Sequence, residues 1–566
     1  MKSFVKKYYF MNFKKIVILF FFLFYLNSEA SVSLRNGNFF VGYLDIAYSG
    51  GFEPKINRVY NSKSMFKGIF GWGWGNEYEV YLTFPPDGTI LSHEFGGGSN
   101  ILFLPTTMKK SDMEDGINKI LEAAKKSGFI RNQANLSDYK NKLNNDFLFR
   151  NDEFERFKIQ GKLKENAVPK GAKFYSKLYG YQTITKDDNR YIRSYDSGKS
   201  EEYDLKGRLI RISDKNKNYI SLTYSKEGSL SKIIDNFNRK MFLFFNKQGL
   251  VERVEGEDNQ KVQYKYNDQQ ELVYSKDVKN NVFQFKYDKK NRHNMTQIEY
   301  EKNDTLNIEY YGMDNLENVR FIKNRDKSSV EYSYDLKNIS QGHYITDVVS
   351  KNRLGKIISK KKYEYFLKKK SDGSEWTQKL IEIVDNKKTE TTYSEQNGLP
   401  TIIRIGNEET VFGYDNKNRL ISKSTSDLVT QLHYNDKVDK IDRVVEHQKS
   451  NPSKRTWSDF QYDDRGNLVF AKNSDGRLIR LAVDSNGRII SMLDEKNHQV
   501  SFKYNEHSKP IEITEAKLGS IRVSYLNNGE IKNVESTGGE KVNQEISEVF
   551  EDLMSIIRPA GVDLSF

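Results

Sequence analysis

The 566-residue chain contains no cysteine. That excludes disulfides, Cys-ligated zinc, iron–sulfur clusters, thiol catalysis and a lipidated cysteine anchor. Its nine prolines are too few for a Pro-rich stalk. Among seven histidines none forms a His-Glu-x-x-His pair; His93-Glu94 runs into Phe95 and three glycines. Gly96-Gly97-Gly98-Ser99 lacks the lysine of a phosphate loop, and no Gly-x-Ser-x-Gly elbow occurs. Asp214-x-Asn216-x-Asn218 has the outline of a calcium loop without its following Gly or distal Glu. His498 and His507 lie across a hairpin from one another with no third ligand. The sequence assigns no catalytic residue, no metal and no cofactor. Apolar residues are also scarce, at 37%, yet aromatics reach 13%, with 35 Tyr and 35 Phe. Disordered chains are poor in aromatics. Half-buried strands are rich in them.

Length alone suggests three or four units at about 150 residues each, or a repeat architecture without a single core. Lys2, Lys6, Lys7, Lys14 and Lys15 precede an apolar run, Ile16 to Leu26, and Asn27-Ser28-Glu29-Ala30 follow. A basic start, a short apolar run and a small–x–small exit predict a signal peptide over residues 1–30, cleaved between Ala30 and Ser31. The run is too short for a membrane span, which needs about 20 apolar residues. Met11 is a second candidate start. The expected destination is outside the cytoplasm: periplasmic, extracellular or cell-surface. No transmembrane span is expected in the mature chain. Its loss takes five lysines and one Glu from the net charge of +13.

What the chain does contain is a period of 21. Tyr203, Tyr224, Phe245, Tyr266 and Tyr287 are each 21 residues apart, as are Tyr462, Val483, Tyr504 and Tyr525, and Tyr393 and Tyr414. Asp or Asn follows most anchors: Asp204, Asn246, Asn267, Asp288, Asp415, Asp463, Asp484 and Asn505. Gly stands four past the anchor at Gly207, Gly228, Gly249, Gly466, Gly487 and Gly529, and Asn does so at Asn291, Asn397 and Asn418. An Asx opening and a Gly or Asn that tolerates positive φ is hairpin-turn chemistry. The flanks alternate: Val262, Tyr264 and Tyr266 share one face, Gln263 and Lys265 the other. Such segments are strands with one dry and one wet face. An apolar residue recurs six past the anchor, as at Leu209, Val251, Leu272, Leu468 and Ile489. Each unit therefore supplies two antiparallel strands and two turns. One unit cannot bury its apolar face alone, so units must stack.

Tyr203-Asp204-Leu205-Lys206-Gly207-Arg208-Leu209 and Tyr462-Asp463-Asp464-Arg465-Gly466-Asn467-Leu468 resemble the YD repeat of RHS-repeat proteins. Asn36-Gly37-Asn38-Phe39, Asn57-Arg58-Val59-Tyr60-Asn61-Ser62 and Gly71-Trp72-Gly73-Trp74 resemble the domain that precedes the repeats in that family. The resemblance implies a β-hairpin strip spiralling into a hollow shell. Toxin-bearing members carry an Asp-Pro motif and then an effector domain; no proline follows an Asp here, and about 30 residues remain after the last repeat. The resemblance therefore implies shell and head without self-cleavage or cargo.

Residues 31–105 are expected to form a β-rich head, in which Trp72 and Trp74 either pack at a glycine-rich turn or form a sugar-stacking platform. Residues 106–170 read as a helical insertion and linker. There Ser111-x-x-Glu114 is a capping box, Ile117, Ile120, Leu121 and Ala124 form the apolar stripe, and Gly128 is the stop. A second short helix is expected from Ser137. The strip then runs over 171–335, a divergent β-rich stretch over 336–392, and more strip over 393–535. Residues 536–566 predict an amphipathic helix with its stripe at Ile546, Val549, Phe550, Leu553 and Ile557. That stripe is expected to dock on or inside the shell. The overall expectation is an all-β fold of antiparallel hairpins forming an open or partial shell. Lysines alternate with apolar residues on the wet faces and read as scattered, so nucleic acid is not an expected partner. Two functions fit: a secreted non-catalytic scaffold or binding surface at the cell envelope, with a glycan as first ligand, or a carrier shell for a cargo protein on another chain. An enzyme within 336–392 is the weakest alternative; His343 and Trp376 form no recognisable set there.

Overall fold

The computed structural model describes residues 30–96, 98–106, 110–130, 133–178, 180–289, 293–300, 304–370, 375–517, 519–526, 531–537 and 546. The fold is all-β, and 36 of its strands belong to one antiparallel sheet. The sheet begins with Tyr81–Thr83, Ile90–Glu94 and Ser99–Pro105 and resumes at Lys173–Ser176, where Phe174 pairs Pro105. It then meanders hairpin by hairpin to Ile531–Ser536. No register among the described residues joins that last strand to the first, so the strip is open along its length. One isolated bridge, Tyr81 with Arg208, ties its first strand to a later turn.

A bulge gives the strip its curl. At Thr223/Tyr224, Lys265/Tyr266, Lys286/Tyr287, Gln461/Tyr462 and Lys503/Tyr504 the register shifts at the anchor aromatic. One bulge per unit on the same rim adds right-handed twist in the same place each time. The strip therefore coils, and turns 239 to 268 residues apart along the chain come into hydrogen-bonding contact.

The divergent stretch belongs to the same sheet. Its strands are longer, Ile357–Lys369 and Glu375–Val384 among them, and pair in unbroken order. Longer strands change the spacing of the turns, which erases the 21-residue period without changing the fold.

Residues 31–76 form their own four-stranded sheet of Ser31–Ser33, Asn38–Ala47, Lys55–Asn61 and Trp74–Asn76. Its first strand starts at the residue where the mature chain is expected to begin. This sheet does not stand apart. Phe39, Ile46, Tyr60, Phe70 and Trp74 share one continuous core with the dry face of the strip from Phe174 to Tyr365. The head is a plug around which the first coil wraps. A second core, from Leu432 to Val523, lines the later coil and includes Ile546. The rest of the expected C-terminal stripe lies outside the described residues.

Among its described residues the insertion holds three helices: α1 (Lys110–Lys126), α2 (Gln133–Asn145) and α3 (Phe147–Ile159). Ile117, Ile120, Leu121, Ala124, Tyr139, Leu143, Phe154 and Phe157 form their core. Helix α1 already includes Lys110, so Ser111 lies within it rather than capping it. Gly128 follows it with φ +71°. Helix α2 starts before Ser137, and α3 is an addition to the sequence expectation. Asp146 caps α3, yet its buried set includes Arg150, Asn151 and Glu153, which blurs any apolar stripe.

Candidate functional site

Each Asx-opened turn is the same small machine. Asp204 Oδ1 accepts the backbone N–H of Lys206 (3.0 Å) and Arg208 (2.9 Å), and Gly207 donates to the Asp204 carbonyl (2.9 Å). Asp463, Asp484 and Asp415 repeat this with Arg465 and Asn467, Asn486 and Arg488, and Lys417 and Arg419. Side-chain capture of two amides explains why Asp or Asn opens the turn. Gly207 has φ +79°, and a Cβ there would meet the Leu82 carbonyl oxygen at 2.2 Å, so both conformation and space demand glycine. Gly228 and Gly466 occupy the same place with φ +92° and +78°, and Asn418 with φ +64°. Asp288 opens a longer loop that closes on the Asn294 carbonyl. Asn291 and Gly529 lie outside the described residues.

The anchor tyrosines do something the period alone did not reveal. Tyr224, Tyr266, Tyr287, Tyr504 and Tyr525 donate their hydroxyls to the carbonyls of Leu209, Val251, Leu272, Ile489 and Pro510, at 2.6–2.9 Å. Each acceptor is the position six past the preceding anchor. The hydroxyl therefore staples one unit to the next. Burial pushes the Tyr504 hydroxyl up to about 12, so it is a neutral donor at any ordinary pH. Tyr414 staples to Pro400 and Tyr462 to Ile441. Tyr203, at the start, donates instead to Glu201. The signal was in the sequence: Tyr outnumbers Phe at the anchors, and only Tyr carries a donor.

The calcium-like segment also has another task. Asp214 Oδ1 accepts from the Asn216 and Asn218 amides, and Oδ2 from Asn218 Nδ2 at 2.7 Å, so its oxygens are used within the turn. Asn216 Oδ1 accepts from Asn467 Nδ2 (2.8 Å), Lys215 Nζ donates to the Gly466 carbonyl (2.7 Å), and Asn218 Nδ2 to that of Asn486 (3.2 Å). These contacts join the far rim of the first coil to the YD rim of the next. Gly487 faces Asn216 so closely that a Cβ would sit 2.0 Å from Nδ2. His498 and His507 lie at opposite ends of the strand Gln499–Tyr504 and do not meet. His498 pairs with Asp494 at 2.9 Å; His507 packs edge-on against Phe237.

The two head tryptophans separate. Trp74 is fully buried, donates to Tyr287 Oη at 3.0 Å and lies under the Arg58 guanidinium. A paired Trp72–Trp74 sugar platform is therefore ruled out, because Trp74 is spent in the core. Trp72 is half-buried and stacks flat on His293, with centroids 4.6 Å apart at 4°. His293 Nδ1 contacts Glu271 Oε1 at 2.9 Å, and Glu271 Oε2 accepts from Asn267 Nδ2 at 2.7 Å. Beside this chain opens a cavity of about 390 Å³, lined by Asn267, Gln269, Glu271, Val273, Lys286, Asp288 and Lys289 with the edges of Phe285 and Tyr287. It sits between two successive YD turns. Asn267 and Glu271 are committed to the turn and to His293, and Lys286 and Lys289 stand at the opposite wall.

Buried charges are paired in the plug and in the strip. Arg58 forks onto Asp45, which also accepts from Tyr264. Arg193 meets Glu94 at 2.7 Å and Glu201 at 3.2 Å. Burial alone would raise the Glu201 carboxyl, but Lys199 and Arg193 outweigh it and hold the group below the usual range. Among the described residues no cluster of three or more His, Asp and Glu is arranged to hold a metal. No helix there is long and apolar enough to cross a membrane.

Residues 29–100 match a family profile described as a domain of unknown function (DUF6531). No curated protein matches the chain. Among solved structures, the crystal structure of TcdB2-TccC3 without its hypervariable C-terminal region is similar over 94% of this chain and 29% of its own, at 10% identity and a TM-score of 0.37. The TcdB2-TccC3-TEV crystal structure is similar over 91% and 28%, at 10% identity and 0.42. A Photorhabdus luminescens Tc holotoxin pore carrying TccC3-D651A is similar over 88% and 32%, at 9% identity and 0.29. The chain spans less than a third of the length of each of these chains.

Proposed function

We propose that the chain is an exported, non-catalytic repeat scaffold that presents a ligand-binding rim at the cell envelope, with a glycan as its ligand. One observation carries this reading: the open cavity between the Asn267–Glu271 and Asp288–Lys289 turns, whose lining Glu271 contacts the His293 that Trp72 stacks on. Its volume falls in the range of small-ligand sites, about 300–1,000 Å³. Lys286 and Lys289 with the aromatic side chains of Phe285 and Tyr287 suit the hydroxyls and apolar faces of a sugar. A glycan array with the purified chain tests the reading. Binding that falls in Gln269→Ala and Trp72→Ala supports it. Signal no higher than in those variants sinks it. Trp74 is unsuitable as a probe, since its loss would unpack the core.

A further inference from the structure

The lysines are not evenly scattered. Residues 351–362 read Lys-Asn-Arg-Leu-Gly-Lys-Ile-Ile-Ser-Lys-Lys-Lys, with six cations and no carboxylate in twelve residues. They form the tip of the hairpin His343–Lys351 and Ile357–Lys369. The following strand pairs this hairpin only as far as Lys361, opposite Val384, so residues 357–359 extend past its ladder. Consecutive strand residues point to opposite faces, and a half-buried strand hides one of them. Here Ile357 and Ile358 are both exposed, at 45% and 61%, and Leu354 at the turn reaches 83%. The preceding strand Ser329–Asp335 pairs the hairpin as far as Lys351, so what extends past the ladders is the turn 352–356 and the one side of 357–359.

Its charge is largely uncommitted. Lys351 pairs with Glu331 at 2.7 Å. Asp385 faces the backbone of Lys360, and Asp347 lies opposite Lys362 in the ladder. Among the described residues Arg353, Lys356, Lys360, Lys361 and Lys362 form no ion pair. Lysines on a strand edge can serve simply to block edge-to-edge pairing. That does not account for three aliphatic side chains left in water at the same tip.

We propose that this tip docks the protein on an anionic lipid surface, with the cations on headgroup phosphates and Leu354, Ile357 and Ile358 inserted among the acyl chains. Clustered cations supply long-range attraction to anionic lipid, and aliphatic side chains supply the short-range anchor. The surface is separate from the rim cavity, so either can fail without the other.

Co-sedimentation of the purified chain with phosphatidylcholine vesicles, with and without phosphatidylglycerol, tests the proposal. Binding is expected only with phosphatidylglycerol, and it should weaken as salt rises. Lys356→Glu/Lys360→Glu should cut affinity roughly twentyfold or more, at about fivefold per cation near an anionic surface. Leu354→Ser/Ile358→Ser should cut it about tenfold by removing the inserted apolar area. Both variants should melt as the parent does, because the altered side chains are exposed. Absent binding, equal binding to phosphatidylcholine alone, or indifference to both variants would overturn the proposal. So would binding of heparin or duplex DNA that is lost in the charge variant, if the aliphatic variant leaves both that binding and vesicle binding unchanged; the tip would then be a general polyanion site.

Discussion

A single hydroxyl decides how one repeat holds the next. Tyr266 Oη donates to the Val251 carbonyl at 2.7 Å from a buried position. Tyr266→Phe should lower unfolding free energy by about 1 kcal/mol, the usual net worth of one such bond, with little change in shape. Chemical denaturation is the measurement. Phe245 and Val483 occupy anchor positions without the donor, so two unstapled units are already tolerated. The opening Asp or Asn was legible from its recurrence. Of the staple, the donor was legible in the preference for Tyr, but the acceptor was not, because it lies 15 residues away and only the pairing register brings the two together.

At the scale of elements, the helical insertion is spliced between two neighbouring strands and docked on the turn that joins Tyr81–Thr83 to Ile90–Glu94. Arg150 Nε reaches Asp87 at 2.9 Å, and Asn166 Nδ2 reaches the Pro86 carbonyl at 2.7 Å. Next to this contact, His93 stacks on Tyr81 and meets Thr83 Oγ1 at 3.0 Å. Burial, with Lys158 adding repulsion and a hydrogen bond to Asn100 opposing it, pushes the His93 imidazole down to about 4. Unfolded histidine titrates near 6.5. Between those values the unfolded chain takes up a proton that the folded chain refuses. Stability should therefore fall as pH drops from about 6.5 to about 4. His93→Gln should flatten that slope in thermal melts taken across the window. Helix α3, missed in the sequence, shows the limit of stripe-based reasoning. Its inner face is built partly from Arg150, Asn151 and Glu153, paired on arrival rather than apolar in advance.

For the whole molecule, the seam between coils is the deciding contact. Asn216 and Asn467 are 251 residues apart, yet hydrogen-bonded at 2.8 Å. Substituting both with Ala should give a non-additive cycle, with coupling of about 1 kcal/mol, the worth of the bond they share. Asn216→Ala combined with a distant turn substitution should be additive. Additivity of the Asn216 and Asn467 changes would mean that the strip is uncoiled in solution. The coil also gives the plug its role. Asp45–Arg58 is a buried ion pair of the plug that only makes sense once the strip has wrapped around it, and Glu94–Arg193 is one between strands of the strip itself.

The sequence by itself determined the repeating unit. Period, alternation and turn chemistry are all local, and each is written within 21 residues. That was enough for strands, hairpins, the dry face and an open all-β strip. It also placed a helical insertion between residues 106 and 170. Tertiary structure decided everything that depends on where the strip goes next. It buried Trp74 and left Trp72 on the rim. It turned Asp214-x-Asn216-x-Asn218 from a candidate ion loop into a clasp between coils, and it kept His498 and His507 apart. It also left residues 357–359 beyond the ladder of the following strand. The physical reason is range: hydrogen-bonded turns are settled by near neighbours, whereas curl accumulates from one small bulge per unit and meets the chain again only after about a dozen of them.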